Sequence, residues 1–235
     1  MKRKYRFLWI IAFFLITVIL WNVEGGYYIL YPFTILGTWF HEMAHGLTAI
    51  LMGASFSRLQ LFDNGSGVAE YSYTSLYLGN IGTALIAAAG PIGPTLAGTV
   101  FFRASVTTKY SKIVLLALSI LLAFSFVVWL RPIVSVGALI VLCFAAVIAY
   151  AALKKKADTW AIVLQFLGVQ AFASVYMSIG YLFSSGGNIG SSSFSSDTQV
   201  IADNLLLPYW VWAALLLVFS AYMFYASLRY VIKKS

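Results

Sequence analysis

The chain has 235 residues, of which 62% are hydrophobic and only 9% are charged, with a formal net charge of +8 at pH 7. Soluble domains carry about a quarter charged residues, so this composition excludes a soluble globular protein and indicates an integral, multi-pass membrane protein. The basic residues cluster at the ends of apolar runs, as membrane anchors do, and therefore do not indicate binding to nucleic acid. Cys143 is the only cysteine, which excludes an intrachain disulfide.

Seven apolar stretches are each long enough to cross a bilayer, which takes roughly 20 helical residues. The distribution of Lys and Arg is most one-sided if one early stretch is re-entrant, so we predict six to seven transmembrane helices. The fold class is then an all-α polytopic membrane protein, one domain over residues 1–235, which we place in the cell membrane with the lipid bilayer as its solvent. The stretches cover residues 7–23, 27–52, 78–103, 112–130, 132–152, 158–183 and 207–231.

The second stretch contains the sequence His41-Glu42-Met43-Ala44-His45. On a helix, residues four apart lie on one face, so two imidazoles can hold one metal ion while the glutamate acts as a base toward water. A chance pair of structural histidines is the alternative interpretation. Because these are the only two histidines in the chain, and ionisable groups at membrane depth are costly, the sequence favours a zinc site.

A β-hairpin is predicted directly after this helix, over residues 57–74. Asp63-Asn64-Gly65 is flanked there by alternating polar and apolar residues, and Asn-Gly in such a setting is a strong hairpin signal. In the next apolar stretch Gly90, Pro94 and Gly98 are spaced four apart. Small residues at this spacing let two helices approach closely in lipid.

The segment 184–203 is rich in Gly and Ser and is predicted to be a mobile loop or a lid. Four predicted spans separate it from the hairpin, so both should lie at the same face of the membrane. This parity makes a shared site possible.

A catalytic zinc usually has three protein ligands, and no histidine remains to supply the third. The carboxylate candidates are Asp63, Glu70, Asp158, Asp197 and Asp203. Most have an ordinary structural role: a turn residue, a polar strand position, or a helix cap for Asp158 and Asp203. Asp197 has the weakest alternative role, and the flexible residues before it could let it reach inward.

These features resemble the site-2 protease family of intramembrane zinc metalloproteases, in its small B-like branch. The resemblance rests on the His41-to-Gly46 motif in a membrane helix, the hairpin after it, Ala89-Gly90-Pro91, and Ser196-Asp197 shortly before Leu207-Pro208. It implies that His41, His45 and Asp197 bind Zn²⁺ and that Glu42 activates water. It also implies that the protein hydrolyses a peptide bond in or near a transmembrane segment of a membrane-protein substrate.

A non-proteolytic metal-binding membrane protein, transporter-like or regulatory, is the alternative function. A transporter should carry more intramembrane polar groups, whereas the other apolar stretches offer chiefly Gln165, Gln170 and scattered Ser and Thr. The sequence also shows no internal repeat of the kind found in many transporters. The substrate and the oligomeric state are not indicated by the sequence.

Overall fold

The computed structural model describes residues 3–189 and 192–234, and most of these residues are helical. Each of the seven predicted apolar stretches contains a helix, with ends shifted by a few residues. The helices are α1 (Arg3–Asn22), α2 (Gly26–Leu51), α3 (Asn80–Ser105), α4 (Thr108–Val128), α5 (Val136–Lys154), α6 (Ala157–Met177), α7 (Ile179–Leu182), α8 (Asp197–Asn204) and α9 (Tyr209–Lys234). The strands are β1 (Ser55–Leu61), β2 (Gly67–Ser72), β3 (Gly186–Ile189) and β4 (Ser192–Ser195).

In the described part of the chain, five helices are each long and apolar enough to cross a membrane, namely α3, α4, α5, α6 and α9. Helices α1 and α2 meet this criterion only as a pair, with a bend of 118° between them, which gives up to six spans. The bend is at Gly25, whose φ of 79° lies in the left-handed region that glycine tolerates best. The structure thus confirms an all-α polytopic membrane protein and agrees with the lower end of the predicted number of spans.

The predicted hairpin follows the motif helix, as β1 paired antiparallel with β2. Its turn is closed by the side chain of Asn64, whose Oδ1 accepts a hydrogen bond from the Ser66 backbone N–H at 3.0 Å. The other side of β1 is also paired, because the Leu59 N–H donates to the Trp129 carbonyl at 2.9 Å. Of the two hairpin strands, β2 therefore has the edge that a further strand could join.

The largest hydrophobic cluster lies between α2, the hairpin, α4, α5 and α6. Its fully buried members include Ile35, Trp39, Leu59, Leu122 and Val141. A buried polar contact crosses this apolar region, in which the Trp39 indole N–H donates to the Ser125 hydroxyl at 2.9 Å. Burial of the indole without such a partner would cost free energy, so the bond fixes α2 against α4.

The segment 184–203, which was expected to be a mobile loop or a lid, contains the antiparallel pair β3–β4 and helix α8. The hydroxyl groups of Ser196 and Thr198 fix the start of α8. Ser196 caps α8 by accepting from the Gln199 N–H at 3.2 Å, and the Thr198 hydroxyl donates to the Leu182 carbonyl at 2.6 Å. Residues 190 and 191 of this segment lie outside the described residues.

Candidate metal centre

His41, His45 and Asp197 converge on one point, and their ligand atoms all lie within 4.8 Å of one another. The two histidines lie one turn apart on α2, with their Nε2 atoms 3.1 Å apart. The carboxylate of Asp197 reaches both of them. Its Oδ2 lies 3.0 Å from Nε2 of His41, and its Oδ1 lies 3.2 Å from Nε2 of His45.

The hydrogen bonding of His45 identifies which of its ring nitrogens is free for a metal. Its Nδ1 lies 2.7 Å from the backbone carbonyl oxygen of Ile86 on α3. A carbonyl oxygen only accepts hydrogen bonds, so Nδ1 carries the proton and donates it. In the neutral ring, Nε2 then carries the lone pair that can bind a metal ion. A backbone partner that fixes the tautomer is a common feature of metal-binding histidines.

The donor set fits a divalent metal ion such as zinc. Asp197 Oδ2 is buried without a hydrogen-bond partner, although it lies only 3.0 Å from His41 Nε2. A buried carboxylate oxygen left in that state is costly unless a further group binds it. Two imidazole nitrogens and one carboxylate are a frequent ligand set for zinc, which leaves a fourth position for water or substrate.

Asp197 reaches the motif helix because it is the first residue of α8. Its backbone N–H, which has no partner within the helix, donates to the Tyr181 hydroxyl at 3.2 Å. Burial alone would raise the pKa of the Asp197 carboxyl, but the adjacent imidazoles of His45 and His41 lower that pKa overall. Asp197 is therefore an ionised carboxylate.

The sequence Ala89-Gly90-Pro91 places a bare backbone against the two imidazoles. A Cβ atom on Gly90 would lie 2.6 Å from His41 Nε2 and closer still to the ring of His45. Gly93, one turn further, allows the same approach, since a Cβ there would lie 2.7 Å from the Phe40 carbonyl. The predicted close approach of helices is thus confirmed, and at Gly90 the partner is the candidate metal centre itself.

Glu42 lies between the two histidines in sequence and faces the hairpin. Its Oε2 accepts a hydrogen bond from the Ala69 backbone N–H at 2.9 Å, and only 8% of the residue is exposed. Gly67 lets β2 come this close, because a Cβ there would lie 2.9 Å from Cγ of Glu42. The bond to Ala69 fixes one carboxylate oxygen and leaves Oε1 free to take a proton.

The other carboxylate candidates are not part of the described cluster. Asp63 lies in the hairpin turn, and Glu70 accepts from the Gln60 side chain at 2.6 Å. Asp158 lies in the first turn of α6, whose N-cap is Lys156, so Asp158 is not the cap itself. Asp203 was predicted to cap the last helix, but it lies inside α8 and accepts from Gln199 at 2.7 Å.

A cavity of about 1650 Å³ gives access to the cluster. Among the described residues that line it there is no Lys or Arg. Two of the tyrosines on its wall, Tyr71 and Tyr181, could not be identified as site residues from the sequence, because nothing there distinguishes them from the other tyrosines in the chain. Burial, reinforced by charges that include Asp197 and Glu42, raises the pKa of both hydroxyls, so both remain protonated donors at neutral pH.

Comparison with known families gives a match to a model described as Peptidase M50B-like, over residues 10–227. Comparison with curated proteins and with solved structures gives no match. The matched residues include the motif helix, the hairpin, α3 and α8. This chain therefore belongs to the Peptidase M50B-like family, the B-like branch of the site-2 proteases that its motifs predict.

Proposed function

We propose that this protein is a zinc-dependent endopeptidase that hydrolyses a peptide bond in or near a transmembrane segment of another membrane protein. The observation that carries the proposal is the convergence of Asp197 on His41 and His45. A carboxylate from α8 meets two imidazoles on α2, next to Glu42 and at the wall of a large cavity. Membership of a metallopeptidase family supports the same chemistry.

The side chains divide the work of hydrolysis between them. His41, His45 and Asp197 would hold the zinc ion, which when bound supplies a Lewis acid that polarises the scissile carbonyl. Glu42 would accept a proton from the attacking water through Oε1 and pass it to the leaving amine. Its other oxygen stays on the Ala69 N–H, so the carboxylate keeps its orientation throughout.

The hairpin supports a mode of substrate binding. Ala69 pairs with Leu59 in the register of the hairpin, yet its N–H points away from β1 toward Glu42. Apart from this N–H, which Glu42 occupies, the outer edge of β2 can hold an extended peptide as an added strand beside the cavity. A transmembrane helix would have to unwind locally before it could lie there, which favours substrates with helix-breaking residues near the cleaved bond.

The test of proteolysis compares Glu42→Gln with Glu24→Gln in purified protein. The probes are labelled casein and a panel of single-span membrane reporters. Removing the general base should lower turnover by about 10²- to 10⁴-fold and leave zinc content unchanged. Glu24 is exposed and lies in the connection between α1 and α2, so its variant should match the wild type. Normal cleavage by Glu42→Gln would refute the proposed mechanism. Full zinc content without cleavage of any probe would favour the non-proteolytic alternative.

The test of the third ligand compares Asp197→Asn with Asp203→Asn. An amide is a poorer metal ligand than a carboxylate, so the first variant should lose most of its zinc. Asp203 bonds to Gln199 on the exposed side of the same short helix, which makes its variant a matched control for the folding of α8. Metal content measured by mass spectrometry on the purified proteins decides the matter. Equal zinc in Asp197→Asn and wild type would remove Asp197 from the ligand set.

A further inference from the structure

The hydroxyl group of Tyr181 lies next to Asp197 of the candidate metal centre. The phenol oxygen accepts the Asp197 backbone N–H at 3.2 Å. A tyrosine hydroxyl is both an acceptor and a donor, so this bond leaves its own hydrogen for a second partner. The group that lies beside it on the cavity wall is the candidate metal centre.

The position of this hydroxyl is fixed by its surroundings. Tyr181 lies on the four-residue helix α7, and its neighbour Leu182 is fully buried. The Leu182 carbonyl accepts from Thr198, which ties α7 to the first turn of α8. Tyr181 nevertheless remains 42% exposed, and it lines the cavity together with Glu42 and Asp197. The phenol is thus held next to Asp197, yet open to a bound peptide.

Hydrolysis of a peptide bond is favoured by a hydrogen-bond donor next to the carbonyl oxygen. When water attacks the carbonyl carbon, the π electrons of the C=O bond move onto oxygen, and donors aimed at that oxygen stabilise the charge. The described cavity wall offers no Lys or Arg for this purpose. Several of its Ser and Thr hydroxyls already donate to backbone carbonyls, namely Thr17, Thr34, Thr38, Ser174 and Ser178.

We propose that the Tyr181 hydroxyl donates a hydrogen bond to the scissile carbonyl oxygen as negative charge develops on it. The inference rests on the proposed function and adds a catalytic residue to it. Tyr181 keeps its proton throughout. The water oxygen bonds to the carbonyl carbon as Glu42 takes a water proton, and the C–N bond then breaks as the amine takes that proton from Glu42. The hydrogen bond from Tyr181 is strongest between these two steps.

A purely structural role for Tyr181 predicts a different outcome. If the phenol only held Asp197 in place, its removal would weaken zinc binding, because the N–H at the start of α8 would lose its acceptor. If the phenol acts on the substrate, zinc binding should survive and the chemical step should suffer. Zinc content and catalytic rate therefore separate the two roles.

The experiment compares Tyr181→Phe with Tyr225→Phe in full-length, zinc-loaded protein. Tyr225 is an exposed tyrosine on α9 and lies outside the cavity lining, so its variant should behave as wild type. The probes are the reporter that wild type cleaves best and a phosphinic tetrapeptide, whose tetrahedral anionic centre imitates the charged carbonyl. Tyr181→Phe should keep full zinc and an unchanged KM, while kcat falls about 10²- to 10³-fold. Affinity for the phosphinic peptide should fall as well.

Three outcomes would overturn the inference. Loss of zinc in Tyr181→Phe would assign the residue a structural role. An unchanged kcat with full zinc would show that the phenol does not act on the reaction. A large loss of kcat in Tyr71→Phe, without one in Tyr181→Phe, would assign the donor to the other tyrosine. Wild type that cleaves no probe would instead overturn the proposed function, and the inference with it.

Discussion

The α4–α5 region and the region of α2, α3 and α8 are packed by different means. The hydrophobic cluster formed by α4, α5 and their neighbours consists mostly of large side chains, such as Leu115 and Leu122, although α5 itself contributes mainly alanines. Between α2 and α3 the contact is made by bare backbone at Gly90 and Gly93 against histidine rings and a carbonyl. Lipid tails are as apolar as leucine, so close backbone contact and polar bonds hold helices together where side chains are small.

The comparison shows where this protein tolerates change. An apolar interface of large side chains can lose a methyl group and partly relax around the space. An interface in which a backbone lies directly against the imidazoles of the candidate metal centre has less freedom, because an added atom would displace one of these rings. Small substitutions between α2, α3 and α8 should therefore impair function. Large substitutions in the α4–α5 region should mainly lower stability.

The largest effect is expected for Gly90→Ala. The added methyl group would overlap the ring of His45, and overpacking of this kind costs about 1–3 kcal/mol even without a metal. We expect loss of most bound zinc, measured by mass spectrometry, in protein that still purifies as a folded species. Gly180→Ala is the matched control, because no atom lies within 4 Å of the position of its Cβ. Full zinc in Gly90→Ala would show that the contact between α2 and α3 is looser than described.

Removal of zinc should produce the next largest effect, and it should be confined to one region. Zinc that binds only the folded state at about 100 times its Kd stabilises that state by about 2.7 kcal/mol, and a chelator removes this contribution. Hydrogen exchange should then become faster in α8 and around His45, whose partners include Asp197. Exchange in α4 and α5 should not change. Uniformly faster exchange would mean that the two regions unfold as one unit.

The smallest effect on the site is expected for Leu122→Ala. This side chain is fully buried in the large apolar cluster, and its loss should lower the free energy of unfolding by about 2–5 kcal/mol. Zinc content and cleavage should stay at the wild-type level. Ile120→Ala, at a position that is 67% exposed on the same helix, should change neither quantity. A zinc defect in Leu122→Ala would contradict the separation of the two regions.

The elements that sequence alone predicted correctly depend on local patterns. Apolar length predicts the helices, the spacing of His41 and His45 places them on one face, and Asn64-Gly65 predicts the hairpin turn. The approach of Asp197 followed from parity, since four spans between the hairpin and the late segment return the chain to the same face. The structure brings Asp197 to the histidines, whereas its role as a ligand stays a prediction.

The features that sequence missed depend on contacts between distant parts of the chain. The segment rich in Gly and Ser contains a helix that Ser196 caps and that Thr198 joins to the Leu182 carbonyl. The bond between Thr198 and Leu182 cannot be predicted from the composition of the segment. The bend at Gly25 reduces seven apolar stretches to at most six candidate spans. Tyr181 is recognisable only through its contact with Asp197.

The order of the elements along the chain also bears on the synthesis of this protein. His41 and His45 leave the ribosome with α2, but Asp197 follows only after α3, α4, α5, α6 and α7. Because domains generally fold as they are made, from the amino terminus onward, the nascent chain inserts most of its helices before the cluster can close. If the proposed function holds, a protease assembled in this order would stay inactive while it is being translated, and so would not cleave other proteins during their insertion at the same site.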